Sequence, residues 1–172
     1  MQITVTRTDH ISPRLRRAVK ELENRKPITE AMGLYLTSWT VRAFDDASLR
    51  PAPWPSRQGM LPRARPLLKL SGSLWRSIKS RSTNDRVTIS SDRKYAAIHQ
   101  LGGTTSPHII KARNKKYLFW PGAGHPVKSV KHPGSRIPAR PFMPFLGSGG
   151  MMPAAREGVE DVIRVKVLEM LQ

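Results

Sequence analysis

Five histidines, twelve carboxylates and a scatter of serines are the side chains here that could move protons, hold metals or attack carbonyls. Their spacing argues against all three chemistries. His10, His99, His108, His125 and His132 show no metal-ligand spacing such as two histidines four apart on a helix. Each reads as a loop residue or a satisfied core residue. A two-metal nuclease needs several acids around one point, because each Mg²⁺ wants oxygen ligands and charge balance. The predicted β region offers only Asp85 and Asp92, both at turn-like positions, while Glu157 and Asp161 lie four apart on a predicted helix and read as surface charge. No serine sits in a nucleophile-elbow context. Gly147-Ser148-Gly149-Gly150 could present backbone amides to an anion, yet it lacks the lysine and spacing of a P-loop and reads as a hinge. No catalytic residue, metal site or cofactor is expected.

The chemistry that remains is charge. The formal net charge is +18, and between Asp92 and Glu157 stand eleven Lys and Arg with no acid. The 47–84 stretch is also acid-free and carries eight more, so the acids collect toward the two ends. A field of that size draws in nucleic acid, anionic lipid or an acidic protein surface. The densest point is Lys111, Arg113, Lys115 and Lys116, followed by Tyr117-Leu118-Phe119-Trp120. Phosphates could meet the lysines there and a ring could stack on a base; the aromatics are nevertheless predicted to face the core. Zero Cys removes disulfides and thiolate chemistry and fits assembly in a reducing compartment. With no apolar run of signal-peptide length near Met1 and none long enough to span a membrane, the expectation is a soluble protein made in the cytoplasm.

The elements that must position these residues form one α+β domain over 1–172. Residues 2–6 alternate as a short strand. Ser12-Pro13 caps a helix carrying Ile11, Leu15, Val19 and Leu22 on one face. Pro27 interrupts it or opens a second helix, with Ile28, Met32, Leu36, Trp39 and Ala43 as its stripe. This predicts an N-terminal helical hairpin. Five prolines make 47–69 a Pro-rich extended loop, with Trp54 as an apolar anchor. Leu74–Ile78 is a short helical segment. Val87–Ile89 and 95–98 are predicted to pair as strands across a turn at Ser91-Asp92-Arg93, with Gly102-Gly103 ending the second. A basic loop, 104–116, leads to a strand at 117–120, which Val127–Val130 pairs back on. A Pro/Gly-rich extended segment, 133–150, precedes a helix that Pro153 opens and that carries Val159, Val162, Ile163, Val167 and Leu171. The sum is an antiparallel sheet of about three to five strands, packed by the hairpin and a C-terminal helix, with long extended loops.

Three segments, in this order, carry a resemblance: Leu70-Ser71-Gly72-Ser73-Leu74-Trp75-Arg76-Ser77-Ile78, Tyr95-Ala96-Ala97-Ile98-His99-Gln100-Leu101-Gly102-Gly103, and Ile137-Pro138-Ala139-Arg140-Pro141-Phe142. With Trp54-Pro55 in the irregular loop, they resemble the virion morphogenesis, or tail completion, proteins of Mu-like tailed phages over roughly 12–171. The Trp-Pro loop here is shorter and richer in proline than is common in that family, and Met143-Pro144-Phe145 intervenes before Leu146-Gly147. The resemblance implies a structural protein of the head–tail junction, found in the virion and in host cytoplasm during assembly. It implies a homo-oligomeric ring, six subunits being the expected number, between head-connector and tail proteins around the viral DNA. A six-subunit ring would carry about +108, which resists closing unless DNA, acidic partner rings or salt offset it. Lys111, Arg113, Lys115 and Lys116 are therefore expected to face DNA or an acidic neighbour. Trp54, Tyr95, His99, Gln100, Gly102, Gly103, Arg140 and Phe142 are assigned structural or subunit-interface roles. Tyr95 and Ile98 would pack the sheet, and His99-Gln100 would hold the Gly102-Gly103 turn. Arg140, held in an extended segment, would bind a carboxylate or backbone carbonyls, either in its own chain or in the adjacent subunit. The competing readings are a stand-alone basic nucleic-acid-binding protein and a DNA-processing enzyme.

Overall fold

The computed structural model describes residues 16, 19, 20, 23–56, 66–120 and 122–170. The predicted strand at 2–6 and most of the first hairpin helix lie outside them. The described chain is α+β, with three α-helices and three small antiparallel sheets.

Helix α1, Lys26–Arg42, begins with Pro27 in its first turn, where a missing N–H costs nothing. Of its predicted stripe, Ile28, Leu36 and Trp39 are buried, as is Ala43 just beyond its end. Gly33 is buried too, and it lets the helix lie close on a strand: a Cβ there would sit 3.1 Å from the Ser80 side chain. Two threonine and serine bonds tie the same faces, Thr29 Oγ1 donating to Thr83 O at 2.6 Å and Ser82 Oγ to Thr29 O at 2.9 Å.

That strand is β1, Ile78–Ser82, and it pairs in register with β2, Val87–Ser91. The partner predicted for Val87–Ile89 was 95–98, and this is corrected: Tyr95 is the N-cap residue of a helix, α2, Ala96–Leu101. Ala-Ala at its start favours helix, and Ala96 is buried against the core. The true partner, Ile-Lys-Ser-Arg-Ser, carries one apolar residue and so gives little strand signal.

Instead of one sheet of three to five strands, the remaining strands form two separate ribbons. Strand β3, Gly103–Thr104, pairs with β6, Arg136–Ile137; β4, His108–Lys111, pairs with β5, Ser129–His132. Of the predicted 117–120 strand only Leu118 is bridged, to Val127. Helix α3, Pro153–Met170, closes the chain.

Two apolar clusters lie on either side of the end of α1. Phe44, Leu74, Ile78, Ala96 and Phe142 form one; Trp39, Ala43, Leu49 and Ala155 form the other and join α1 to α3. Consecutive residues Ala43 and Phe44 thus serve opposite clusters. Gly158 is the close-approach point between α1 and α3, because any Cβ there would overlap the Tyr35 hydroxyl. The Gly147–Gly150 stretch is folded into a closed turn, bounded by a Phe145–Met151 bridge and by Leu146 N–H donating to Gly150 O at 3.1 Å.

Candidate functional site

The segment 138–144 has prolines at 138, 141 and 144, so it can neither ride a helix nor complete a strand ladder. Its remaining N–H groups need acceptors from elsewhere. Helix α2 supplies them. Arg140 N–H donates to His99 O at 2.7 Å, and the Gln100 side-chain oxygen accepts from both Phe142 N–H (2.9 Å) and Met143 N–H (3.0 Å). One amide oxygen, with two lone pairs, serves two donors. Gly102 makes this approach possible. It ends α2 at φ 73°, and a Cβ on it would stand 2.9 Å from Ala139 N. Gly103 then pairs with Ile137 as β3.

Held this way, Phe142 is fully buried, with its ring 5.1 Å from that of Phe44. The Trp54 loop closes over the outer side. Trp54 Nε1 donates to Pro141 O at 2.7 Å, and its ring meets Phe44 edge-on at 5.8 Å. Arg140 is buried and turns toward the same loop, donating from Nε to Pro55 O (3.1 Å) and from a terminal nitrogen to Ser56 O (3.3 Å). The three resemblance-bearing segments and the Trp-Pro pair therefore meet in one clamp. Two of the acceptors of Arg140 are thus carbonyls of its own chain.

His99 lies within the clamp, with Nδ1 buried and without a hydrogen-bond partner among the described residues. Burial, with a smaller contribution from the Arg140 charge, holds its pKa below the usual histidine value. Its backbone carbonyl, not its ring, makes the clamp bond. Tyr95 is not a sheet-packing residue: it is exposed, and its ring meets His99 edge-on at 5.9 Å. Arg50 escaped the sequence reading. Its guanidinium lies 3.9 Å from the centre of the Trp54 ring while donating to Ala43 O at 2.7 Å and Phe44 O at 3.2 Å, so it caps α1 and buttresses the loop. An arginine one residue before a proline cluster that contains tryptophan was the available signal.

The cationic candidates gather elsewhere. Lys111 ends β4, and Arg113, Lys115 and Lys116 follow in the bend toward the Leu118–Val127 bridge; all four are exposed. None has an ion-pair partner among the described residues, whose ion pairs lie on other elements. The aromatics beside them do not face the core, as the sequence suggested. Tyr117, Phe119 and Trp120 are exposed, with the Lys116 ammonium 5.7 Å from the Tyr117 ring centre. A two-stranded ribbon one residue pair wide cannot bury both faces, and nothing described packs over this one.

Among the described residues no group of three histidine or acidic side chains could hold a metal ion, and no helix is long and apolar enough to cross a membrane. The clamp anchors the proline-rich segment, while the β4–β5 ribbon with its 112–128 connection, the arm, leaves cations and aromatics exposed. The family model for the phage virion morphogenesis family matches residues 6–168. The chain belongs to the phage virion morphogenesis family. Comparison with curated proteins and with solved structures gave no match. Membership makes this virion morphogenesis protein a phage structural or assembly component, in a family that is typically structural.

Proposed function

We propose that this virion morphogenesis protein is a ring subunit of the head–tail junction, finishing the tail and joining it to the head without catalysing a reaction. The observation that carries this reading is the arm. Its four cations stand exposed at the end of β4 and in the bend that follows, in a phage assembly protein whose body is stapled by the clamp. In a homo-oligomeric ring, six-membered by expectation, such arms meet either the viral DNA in the channel or an acidic face of the adjoining connector or tail ring. The counter-charge lets subunits of formal charge +18 close against one another.

The test is genetic and structural at once. Particles assembled without the protein should accumulate as filled heads and free tails. Reversing charge at Lys111, Arg113, Lys115 and Lys116 together should cut the titre of infectious particles while leaving the purified chain folded. Normal titre from that variant would overturn the arm's role. A second reading, a stand-alone nucleic-acid-binding protein, is favoured by the exposed aromatics beside the lysines. It requires a monomer or dimer with a steep salt dependence of DNA affinity, whereas a ring component oligomerises or appears only within particles.

A further inference from the structure

We propose that the arm is jointed to the body at the facing residues Pro107 and Pro133, and that the stacked His108 and His132 rings lock this joint when neutral and release it when protonated. Such a joint aims the arm whatever its partner is, so it stands apart from the ring reading above.

The two ribbons share one register. Gly103 faces Ile137 and Thr104 faces Arg136 in β3–β6, and Thr105 N–H donates to Ser135 O at 2.9 Å just beyond. His108 faces His132 at the start of β4–β5. Counting inward from both sides sets Ser106 against Gly134 and Pro107 against Pro133. The ribbons are therefore one long two-stranded ladder with a gap of two residue pairs. Hydrogen-bonded pairs alternate along an antiparallel ladder, so the next one after Thr105 and Ser135 is Pro107 with Pro133. Neither proline has an N–H, and the bonds due at that step cannot form. Gly134 sits at φ 97°, where a Cβ would overlap Thr105 O, so the bend needs glycine. A ribbon yields first where its ladder is missing.

Two histidine side chains bridge the gap. His108 Nδ1 lies 3.0 Å from Ser106 O and must donate, since a carbonyl only accepts. His132 Nδ1 accepts from Gly134 N–H, also at 3.0 Å. The neutral rings thus take opposite tautomers, with the proton on Nδ1 in His108 and on Nε2 in His132. They stack with 5.0 Å between centres and 29° between planes, across the first residue pair of the arm.

A further proton affects the two rings unequally. On His108 it goes to Nε2 and leaves the bond to Ser106 O in place. On His132 it goes to Nδ1, where it meets the Gly134 N–H and ends that bond. Two cationic rings then stand face to face. By alternation Lys128 and Arg136 share their face of the ribbon, with Ile110 and Val130 between, while Lys111 and Lys131 lie on the other face. Beyond the gap Thr105 and Ser135 supply only hydroxyls. No acid occurs between Asp92 and Glu157, and no described carboxylate pairs with either ring. Nothing therefore offsets the second charge, and the stack opens.

The chain has no cysteine, so Ala97→Cys on α2 and Ser129→Cys on β5, both at exposed positions, place a pair of spin labels across the joint in the full-length protein. Label distances by pulsed electron paramagnetic resonance would be compared at about pH 8 and about pH 5, the range over which histidine changes charge. One narrow distance is expected at the higher pH. At the lower pH the share of displaced arms should rise reversibly by at least about fivefold, the worth of one ordinary hydrogen bond. His132→Asn keeps an acceptor atom at the Nδ1 position and cannot take up the proton, so its arm should stay in place throughout. Pro107→Val with Pro133→Val restores the missing N–H donors and should do the same. The response should persist in His99→Gln, which separates the joint from the clamp histidine. Equal distances in the parent at both pH values overturn the proposal, as does a parental response in His132→Asn or in the proline double variant, or its loss in His99→Gln. Loss of circular dichroism over the same range overturns it too, because the whole fold and not the joint would then be yielding.

Discussion

Replacing Gln100 by alanine isolates the clamp in a single atom. The Gln100 side-chain oxygen is the acceptor for Phe142 N–H and Met143 N–H, both in a partly buried setting between α2 and the proline-rich segment. Alanine keeps the helix, which it favours, and removes only the acceptor. Two backbone donors then lose their partner, each at about 1–3 kcal/mol if water cannot reach it. Since Met143 and Phe142 are adjacent and one of them is on the accessible side, a total of about 2–4 kcal/mol is expected. At roughly 2–4 °C per kcal/mol for a chain of this size, the melting temperature should fall by about 5–15 °C. The loss should appear in thermal and urea denaturation of the full chain followed by circular dichroism and by tryptophan fluorescence, because Trp54 reports on the same segment through its bond to Pro141 O. Gln100→Glu retains an acceptor oxygen near Arg140 and should recover most of the difference at neutral pH. Were Gln100→Ala to melt within about 1 °C of the parent, the segment would be held by Phe142 burial alone and the reasoning about the amide would be wrong.

Three further outcomes follow from the same geometry. Gly158→Ala should destabilise the α1–α3 contact by about 1–3 kcal/mol, the usual cost of overpacking, and Tyr35→Phe in the same chain should restore part of it by removing the atom in the way; a double-mutant cycle in urea reads the coupling. His99 is held in its neutral form by burial, so the unfolded chain binds its proton first as pH falls: this contribution to stability is full above the ordinary histidine value and declines from there toward the lower folded pKa, and the decline should vanish in His99→Gln, as urea midpoints measured across mildly acidic pH would report. Trp54→Phe should cost about 1 kcal/mol through the lost indole N–H bond to Pro141 O while keeping the edge contact with Phe44, which a modest drop in urea midpoint would register.

Some of this molecule is legible in its residues alone. Pro27 and Pro153 mark helix starts that the structure has, and of the stripe, Ile28, Leu36, Trp39 and Ala43 are buried and Met32 half-buried, because a 3.6-residue period and a proline cap are local facts of the chain. The charge distribution and the family resemblance are likewise written in composition and motif order, and the family match over 6–168 agrees with the resemblance. The strand partners were not legible. The sequence reading paired Val87–Ile89 with 95–98, a run that satisfies strand and helix patterns alike, whereas the alternation that marks a half-buried strand is nearly absent from the true partner, 78–82.

What only the tertiary structure decided is where the motifs point. His99-Gln100 and Pro138–Phe142 are some forty residues apart, and nothing in either spells out that a glutamine oxygen replaces a missing strand ladder or that Gly102 must lack a Cβ to admit Ala139. The exposure of Tyr117, Phe119 and Trp120 is equally a tertiary outcome, because an aromatic run looks apolar in any sequence and only the absence of a covering element leaves it at the surface. Local periodicity determines which residues can share a face; the distant segment that meets that face is set by long-range packing, which a linear pattern does not encode.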